Sequence, residues 1–120
     1  DEFYASHVLE HLDVPDVCVL IQRMYKGLVT GGKLIISVPD LQKVCRFIAE
    51  GNEDEILMMW LYGSYRDELM SHRWGYTEKT LKKLLSDAGF NKFNYSEPQD
   101  DDSGFKFHGI LLSINLECIK

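Results

Sequence analysis

Residues 4–12 form the stretch YASHVLEHL, which decides the fold class because a predicted strand ends inside it. Residues 2–6, EFYAS, are a short apolar run of the kind found in buried parallel strands. His7, Glu10 and His11 follow in the order H-x-x-E-H, before Pro15. These polar residues therefore stand at the carboxyl end of a predicted strand, which is where open α/β sheets bind cofactors.

Predicted strands alternate with predicted helices along the chain. Lys33–Val38 is nearly continuous aliphatic sequence, typical of a strand covered on both faces, and Asp40 is placed to cap the next helix. The predicted elements are a strand at 2–6, a helix at 15–29, a strand at 33–38, a helix from 41 that ends before Gly51, a helical segment from 53 that loosens into the aromatic-rich covering region YGSYRDELMSHRWGY at 62–76, a helix between Thr77 and Gly89, and strands at 92–96 and 110–119.

This alternation predicts an α/β fold built from right-handed βαβ units with a mainly parallel sheet. No helix separates the last two predicted strands, so we expect them to pair antiparallel and make the sheet mixed. A chain of 120 residues is long enough for one hydrophobic core, and we expect residues 1–120 to form a single domain.

Composition excludes several classes of partner. A net charge of −6 argues against a broad phosphate-binding face, so we expect no nucleic-acid partner. No apolar run approaches the roughly 20 residues of a membrane span, so we expect no membrane partner.

Three cysteines lie far apart in the sequence, and we expect all three to be buried, reduced thiols in a cytoplasmic protein.

The stretch GLVTGGK at residues 27–33 has the spacing of a phosphate-binding loop. That chemistry requires a strand before the loop and a helix after it, so that helix N-terminal amides meet the phosphates. Here the predicted order is reversed. We interpret residues 27–33 as a turn from a helix to a strand.

The stretch HVLEH also matches the zinc signature of the inverted metallopeptidases. On a helix, His7 and His11 would share a face with Glu10 beside them. Three interpretations stay open: residues of a cofactor pocket, a helix start, or metal ligands, the last of which would make the protein a zinc hydrolase. A zinc peptidase would need a third protein ligand, for which His72, His108 and many acidic residues are candidates, and we assign no metal ligands.

Four segments in order resemble class I S-adenosylmethionine-dependent methyltransferases, of the type 11 group. They are the strand with "LEH" at 4–12, the helix with a Gly-Gly turn, the aliphatic strand ending in Pro-Asp, and HRWGYTEKTLKKLLSDAGF at 72–90. The resemblance implies a Rossmann-like sheet in which residues 2–6 and 33–38 are the family's fourth and fifth strands. The final two strands would be the sixth and seventh.

The resemblance also implies the cofactor and the site. S-adenosylmethionine would be the methyl donor, and Ala5, Ser6 and His7 would contact its methionine part. His7 is the first candidate for a catalytic base, because an imidazole titrates in the useful range, and His72 is the second. The acceptor would be a small molecule or a side chain. Trp60, Tyr62, Tyr65 and Trp74 are candidates for lining its pocket, although aromatic residues at helical spacing more often pack in a core.

The family's Gly-rich loop and ribose-binding acid would precede residue 1. We therefore expect the chain to correspond to the C-terminal part of a methyltransferase domain that lacks the first strands. Residues 3–6 would then be an open apolar strand edge, and we expect a second copy or a missing N-terminal half to cover it. An alternative function is a catalytically inactive, methyltransferase-like interaction module.

Overall fold

The computed structural model describes residues 1–120. Six strands and four α-helices follow in the order β1 (Glu2–Ser6), α1 (Val14–Gly27), β2 (Lys33–Pro39), α2 (Leu41–Ala49), α3 (Glu55–Tyr62), α4 (Glu78–Ala88), β3 (Lys92–Tyr95), β4 (Lys106–Phe107), β5 (Ile110–Leu111) and β6 (Ser113–Ile119). Short 3₁₀ turns lie at Leu9–His11 and Glu68–Met70. None of the helices is long and apolar enough to cross a membrane.

The main sheet has the strand order β1-β2-β6-β3. β1 pairs parallel with β2, and β6 pairs antiparallel with both β2 and β3. The predicted mixed α/β sheet, with an antiparallel strand close to one edge, is therefore confirmed. The register places His7, just after β1, next to Ser37, and it pairs Pro39 of β2 with Ser113 of β6.

The core follows from the pattern of apolar residues. Leu34, Ile36 and Val38 of β2 pack with alternate residues of β6 against α1 and α4. Every residue from 34 to 39 is buried, as the unbroken aliphatic run predicts. A smaller cluster joins α2 and α3 to the β4–β5 hairpin through Val44 and Leu57. This second cluster holds α3 over the carboxyl end of β2.

The helix boundaries agree with the capping signals. Pro15 lies in the first turn of α1, and the side chain of Asp40 accepts a hydrogen bond from the backbone N–H of Lys43 at the start of α2. Thr77 and Thr80 form a reciprocal capping box at α4. The helix-to-strand turn predicted for residues 27–33 is confirmed, because α1 ends at Gly27 and β2 begins at Lys33.

β1 is an edge strand, so residues 2–4 are exposed and of its five residues only Ala5 is buried, which agrees with the open apolar edge expected at residues 3–6. Two predictions were wrong in detail. The predicted strand 110–119 is a short hairpin strand followed by β6, because the chain leaves the main sheet before residue 113. Cys18 and Cys45 are exposed on the outer faces of their helices, and only Cys118 is buried.

The three cysteines give a direct test of the packing. Burial raises the pKa of the Cys118 thiol to about 12, so it stays protonated and shielded at neutral pH. Iodoacetamide should modify Cys18 and Cys45 of the native protein and leave Cys118 intact, as read by peptide mass spectrometry. Modification in denaturant should reach all three. Labelling of Cys118 in the native protein as fast as Cys18 would contradict this packing of β6.

Candidate active site

The carboxyl ends of the parallel strands β1 and β2 open into one cavity of about 270 Å³. The backbone N–H of His7 donates to the carbonyl oxygen of Ser37 at 2.8 Å, which fixes the loop after β1 against β2. One side of the cavity is polar and the other apolar. The polar side includes His7, Glu10, His11 and His72, and the apolar side includes Ile56, Met59 and Trp60 of α3.

His7 is held in an uncommon backbone conformation, with φ of 54°. Its Nε2 lies 2.9 Å from Oγ of Ser113, and that hydroxyl also lies 3.2 Å from the carbonyl oxygen of Asp102. Because a carbonyl oxygen only accepts, Ser113 donates its proton there and accepts from Nε2 of His7. Nδ1 of His7 therefore carries the free lone pair, on the side of Glu10.

Glu10 is the buried charge of the site, with 1% of its surface exposed. Neither of its carboxylate oxygens has a hydrogen-bond partner. Oε1 lies 3.4 Å from Nδ1 of His7 and 3.6 Å from Nε2 of His11. An isolated buried carboxylate is costly, so a positive charge or a proton close to Glu10 would stabilise this arrangement.

His11 and His72 stand edge to face, with ring centroids 4.9 Å apart. Nδ1 of His11 lies 3.0 Å from the carbonyl oxygen of Ser71, and Nδ1 of His72 lies 3.3 Å from that of Leu61. Both Nδ1 atoms must donate, which leaves Nε2 unprotonated on each neutral ring. Burial is the largest influence on the pKa of His72 and lowers it, while the carboxylate of Glu10 acts in the opposite direction.

Gly63 brings His72 into the cavity. This glycine ends α3 with φ of 76°, and a Cβ at this position would lie 2.2 Å from the carbonyl oxygen of Met70 and 2.8 Å from the His72 ring. The close approach lets residues 70–72 lie against the end of α3, with a bridge between Gly63 and Ser71. The predicted covering region is thus anchored over the carboxyl end of the sheet.

The structure brings both predicted catalytic residues, His7 and His72, to the same cavity, although 65 positions separate them in the sequence. Ala5 and Ser6 end β1 beside it but are not part of its lining. Trp60 lines the cavity and packs edge to face on His7 at 5.1 Å. The other aromatic candidates, Tyr62, Tyr65 and Trp74, are exposed and do not line this cavity.

Sequence reasoning missed Ser113 and Asp102. Ser113 reaches His7 because β6 pairs antiparallel with β2, and no local signal at residue 113 indicates that pairing. The acidic run that contains Asp102 gives no sequence signal of a site residue either. Its neighbour Ser103 is buried and accepts from the backbone N–H groups of Gln99 and Asp100, so this loop folds onto the sheet and closes one side of the cavity.

The helical premise of the zinc-peptidase interpretation is wrong. Residues 7–11 are not an α-helix: His7 has a positive φ, and only Leu9–His11 form a 3₁₀ turn. The rings of His7 and His11 consequently do not share a helix face, and both approach Oε1 of Glu10.

A family model described as a methyltransferase domain matches residues 3–94. The chain belongs to this methyltransferase family. Within it, the fold is that of the class I S-adenosylmethionine-dependent enzymes, which confirms the resemblance seen in the sequence. A sequence search among curated proteins found no match.

Solved structures with the same fold include human N-acetylserotonin methyltransferase in complex with S-adenosylmethionine. It superposes with a TM-score of 0.64 at 18% identity, covering 99% of this chain and 29% of that one. A SAM-dependent methyltransferase from Archaeoglobus fulgidus superposes with a TM-score of 0.63 at 16% identity, covering 100% of this chain and 59% of that one. The chain thus spans less than two thirds of the length of either solved chain.

The cavity fits part of a methyl donor. Sites that enclose a drug-sized ligand have volumes of about 300–1,000 Å³, and the cavity here measures about 270 Å³. Its imidazoles and carboxylate suit a cationic or proton-donating group, and the side chains of α3 suit an apolar one. The residues present therefore fit the methyl-bearing end of S-adenosylmethionine together with an acceptor group, but not the whole cofactor.

Gly63→Ala tests the anchoring of His72, with Gly31→Ala as its matched control. Both glycines have positive φ, but a Cβ at Gly31 meets no atom within 4 Å. We expect about 1–2 kcal/mol of destabilisation from backbone strain at Gly31. At Gly63, whose φ of 76° and ψ of −159° suit glycine alone, we expect about 1–3 kcal/mol from strain and a further 1–3 kcal/mol from steric overlap. Chemical denaturation measures both values. Equal losses would contradict the close packing of Met70 and His72 on Gly63.

Proposed function

We propose that this protein takes part in S-adenosylmethionine-dependent methyl transfer to a small molecule or a side chain. The observation that carries the proposal is the position of His7, in a cavity at the carboxyl end of β1 in a methyltransferase fold. Ligands of open α/β sheets bind in the crevice at this end of the strands. The free lone pair on Nδ1 of His7 makes it chemically suited to accept a proton there.

When bound, S-adenosylmethionine supplies a methyl group on a sulfonium, which already contains its own leaving group. The protein then has to align the acceptor with that methyl group and exclude water. In this proposal Ala5, Ser6 and His7 lie against the methionine part of the cofactor. Trp60 and Met59 supply an apolar wall over the reacting groups.

His7 is the proposed general base. Ser113 holds its Nε2, so Nδ1 is the atom available to accept a proton from an acceptor hydroxyl or ammonium group. Oε1 of Glu10, 3.4 Å from Nδ1, would stabilise the resulting imidazolium. His72 is the second proposed catalytic residue, because burial favours its neutral, proton-accepting form.

We also propose that another strand covers the edge of β1 in the working protein. β1 pairs with β2 alone, and Phe3 and Tyr4 are exposed on it. Such an edge presents unpaired backbone groups as well as apolar surface. The strand would come from a second copy or from another polypeptide.

We also propose a reducing, cytoplasmic location for the protein, which its three free thiols support.

Calorimetric titration with S-adenosylhomocysteine tests cofactor binding. We expect one site per chain, and native mass spectrometry of the same sample should show an assembly larger than one chain. A folded assembly with a covered strand edge but without measurable binding would contradict the methyl-transfer proposal and favour an inactive interaction module. A folded monomer at micromolar concentration would contradict the covered strand edge.

His7→Asn tests the proposed base, and His108→Asn is its control. Both histidines have a positive φ, which Asn tolerates, but His108 stacks on Phe107 outside the cavity. Release of S-adenosylhomocysteine would be measured with a panel of alcohol, phenol and amine acceptors. We expect turnover to fall about 10²–10⁴-fold for His7→Asn and to be unchanged for His108→Asn. Equal turnover of the His7 variant and the native protein would exclude His7 as the base.

A further inference from the structure

We propose that Glu10, His11 and His72 bind a divalent transition-metal ion of the zinc type, with an open coordination position facing the cavity. One carboxylate oxygen of Glu10 and one ring nitrogen of each histidine all lie within 4.8 Å of one another. The three residues come from the 3₁₀ turn after β1 and from the covering region that Gly63 anchors. This inference stands on the geometry and does not depend on the proposed methyl transfer.

The protonation pattern selects the ligand atoms. Nδ1 of His11 and Nδ1 of His72 donate to the carbonyl oxygens of Ser71 and Leu61, at 3.0 and 3.3 Å. Each ring therefore presents an unprotonated Nε2. A metal-binding histidine characteristically donates its other N–H to a carbonyl or carboxylate in this way, which fixes both the tautomer and the ring orientation.

The buried carboxylate of Glu10 is a second, independent observation that points to a bound cation. Glu10 is 1% exposed, and both of its side-chain oxygens lack a hydrogen-bond partner. No lysine or arginine forms an ion pair with it, and only the two histidine rings of His7 and His11 lie within ion-pair distance. A buried carboxylate surrounded by imidazole lone pairs lacks the positive charge that it needs, and a bound cation supplies that charge.

The distances agree with this class of ion. Ligands about 2.0–2.2 Å from a tetrahedral ion stand roughly 3.4 Å from one another. Oε1 of Glu10 and Nε2 of His11 are already 3.6 Å apart. Side-chain rotations that move these atoms by about an ångström would bring all three ligand atoms within coordination distance of one ion. Two imidazoles with one carboxylate favour zinc-type ions over magnesium or calcium, which prefer oxygen ligands.

The proposed site differs from the zinc site of an H-x-x-E-H peptidase in the role of His7. A peptidase of that class would bind zinc through His7 and His11. In the proposed site, His7 is not a ligand, because neither of its ring nitrogens belongs to the group of donor atoms that all lie within 4.8 Å of one another. The ligand from the distant covering region, His72, takes its place.

The test is zinc titration of the metal-stripped protein by calorimetry, with cobalt absorption spectra to report coordination by nitrogen ligands. We expect one ion per chain, and at least tenfold weaker binding in each of Glu10→Gln, His11→Gln and His72→Gln. His108→Gln is the matched surface control and should bind as the native protein does. His7→Asn should still bind one ion. Magnesium and calcium should not compete.

Circular dichroism of each variant shows whether it is folded, and a metal-dependent rise in the thermal unfolding temperature of the native protein gives a measurement that needs no variant. Absence of both zinc binding and this rise would overturn the proposal. Zinc binding that survives in folded His72→Gln but is lost in His7→Asn would also overturn it, in favour of the H-x-x-E-H set. No cofactor or acceptor is present in these measurements. Absence of zinc binding would therefore not contradict the methyl-transfer proposal, which the titration with S-adenosylhomocysteine tests separately.

Discussion

The pairing of β2 with strands on both sides is the constraint on which the site depends. Its parallel partner β1 delivers His7 to the carboxyl end of the sheet, held by the carbonyl oxygen of Ser37. Its antiparallel partner β6 begins at the same end, so Ser113 arrives opposite Pro39 and meets the imidazole of His7. A mixed sheet therefore assembles one site from residues more than 100 positions apart.

Burial of charge is the second determinant of the site. Glu10 lies under the covering region, and its backbone carbonyl oxygen accepts from the N–H of Arg73 at 2.7 Å, so its position is fixed by the same segment that carries His72. A carboxylate in such surroundings interacts strongly with any cation or proton nearby. Both the proposed proton transfer at His7 and the proposed metal binding at His11 and His72 depend on the negative charge of this one carboxylate.

Much of the fold could be predicted because its signals are local. The aliphatic run of β2, the capping residue Thr77 and the turn at Gly31 each indicate an element by their own chemistry. The resemblance of four ordered segments then indicated the family, and the match over residues 3–94 confirmed it. The apolar composition of β1 alone suggested a buried strand, since an edge strand and a central strand can share that composition, and only the resemblance indicated that its edge would be open.

The candidate site was predictable only in part. His7 and His72 were named from the strand end and from the resemblance, but their meeting depends on a close approach at Gly63 that sequence spacing does not indicate. The H-x-x-E-H pattern suggested a helical metal site, whereas the positive φ of His7 breaks that helix and turns Glu10 inward. Tertiary contacts, and not the motif itself, thus decide which nitrogen atoms face the carboxylate.

A crystal structure of the protein with S-adenosylhomocysteine would test the central claim most directly. We expect the sulfur atom to lie at the carboxyl end of β1, beside Ala5 to His7, with the position of the transferred methyl group directed into the cavity between His7 and Trp60. A ligand bound elsewhere on the sheet, or one whose sulfur atom points away from this cavity, would contradict it.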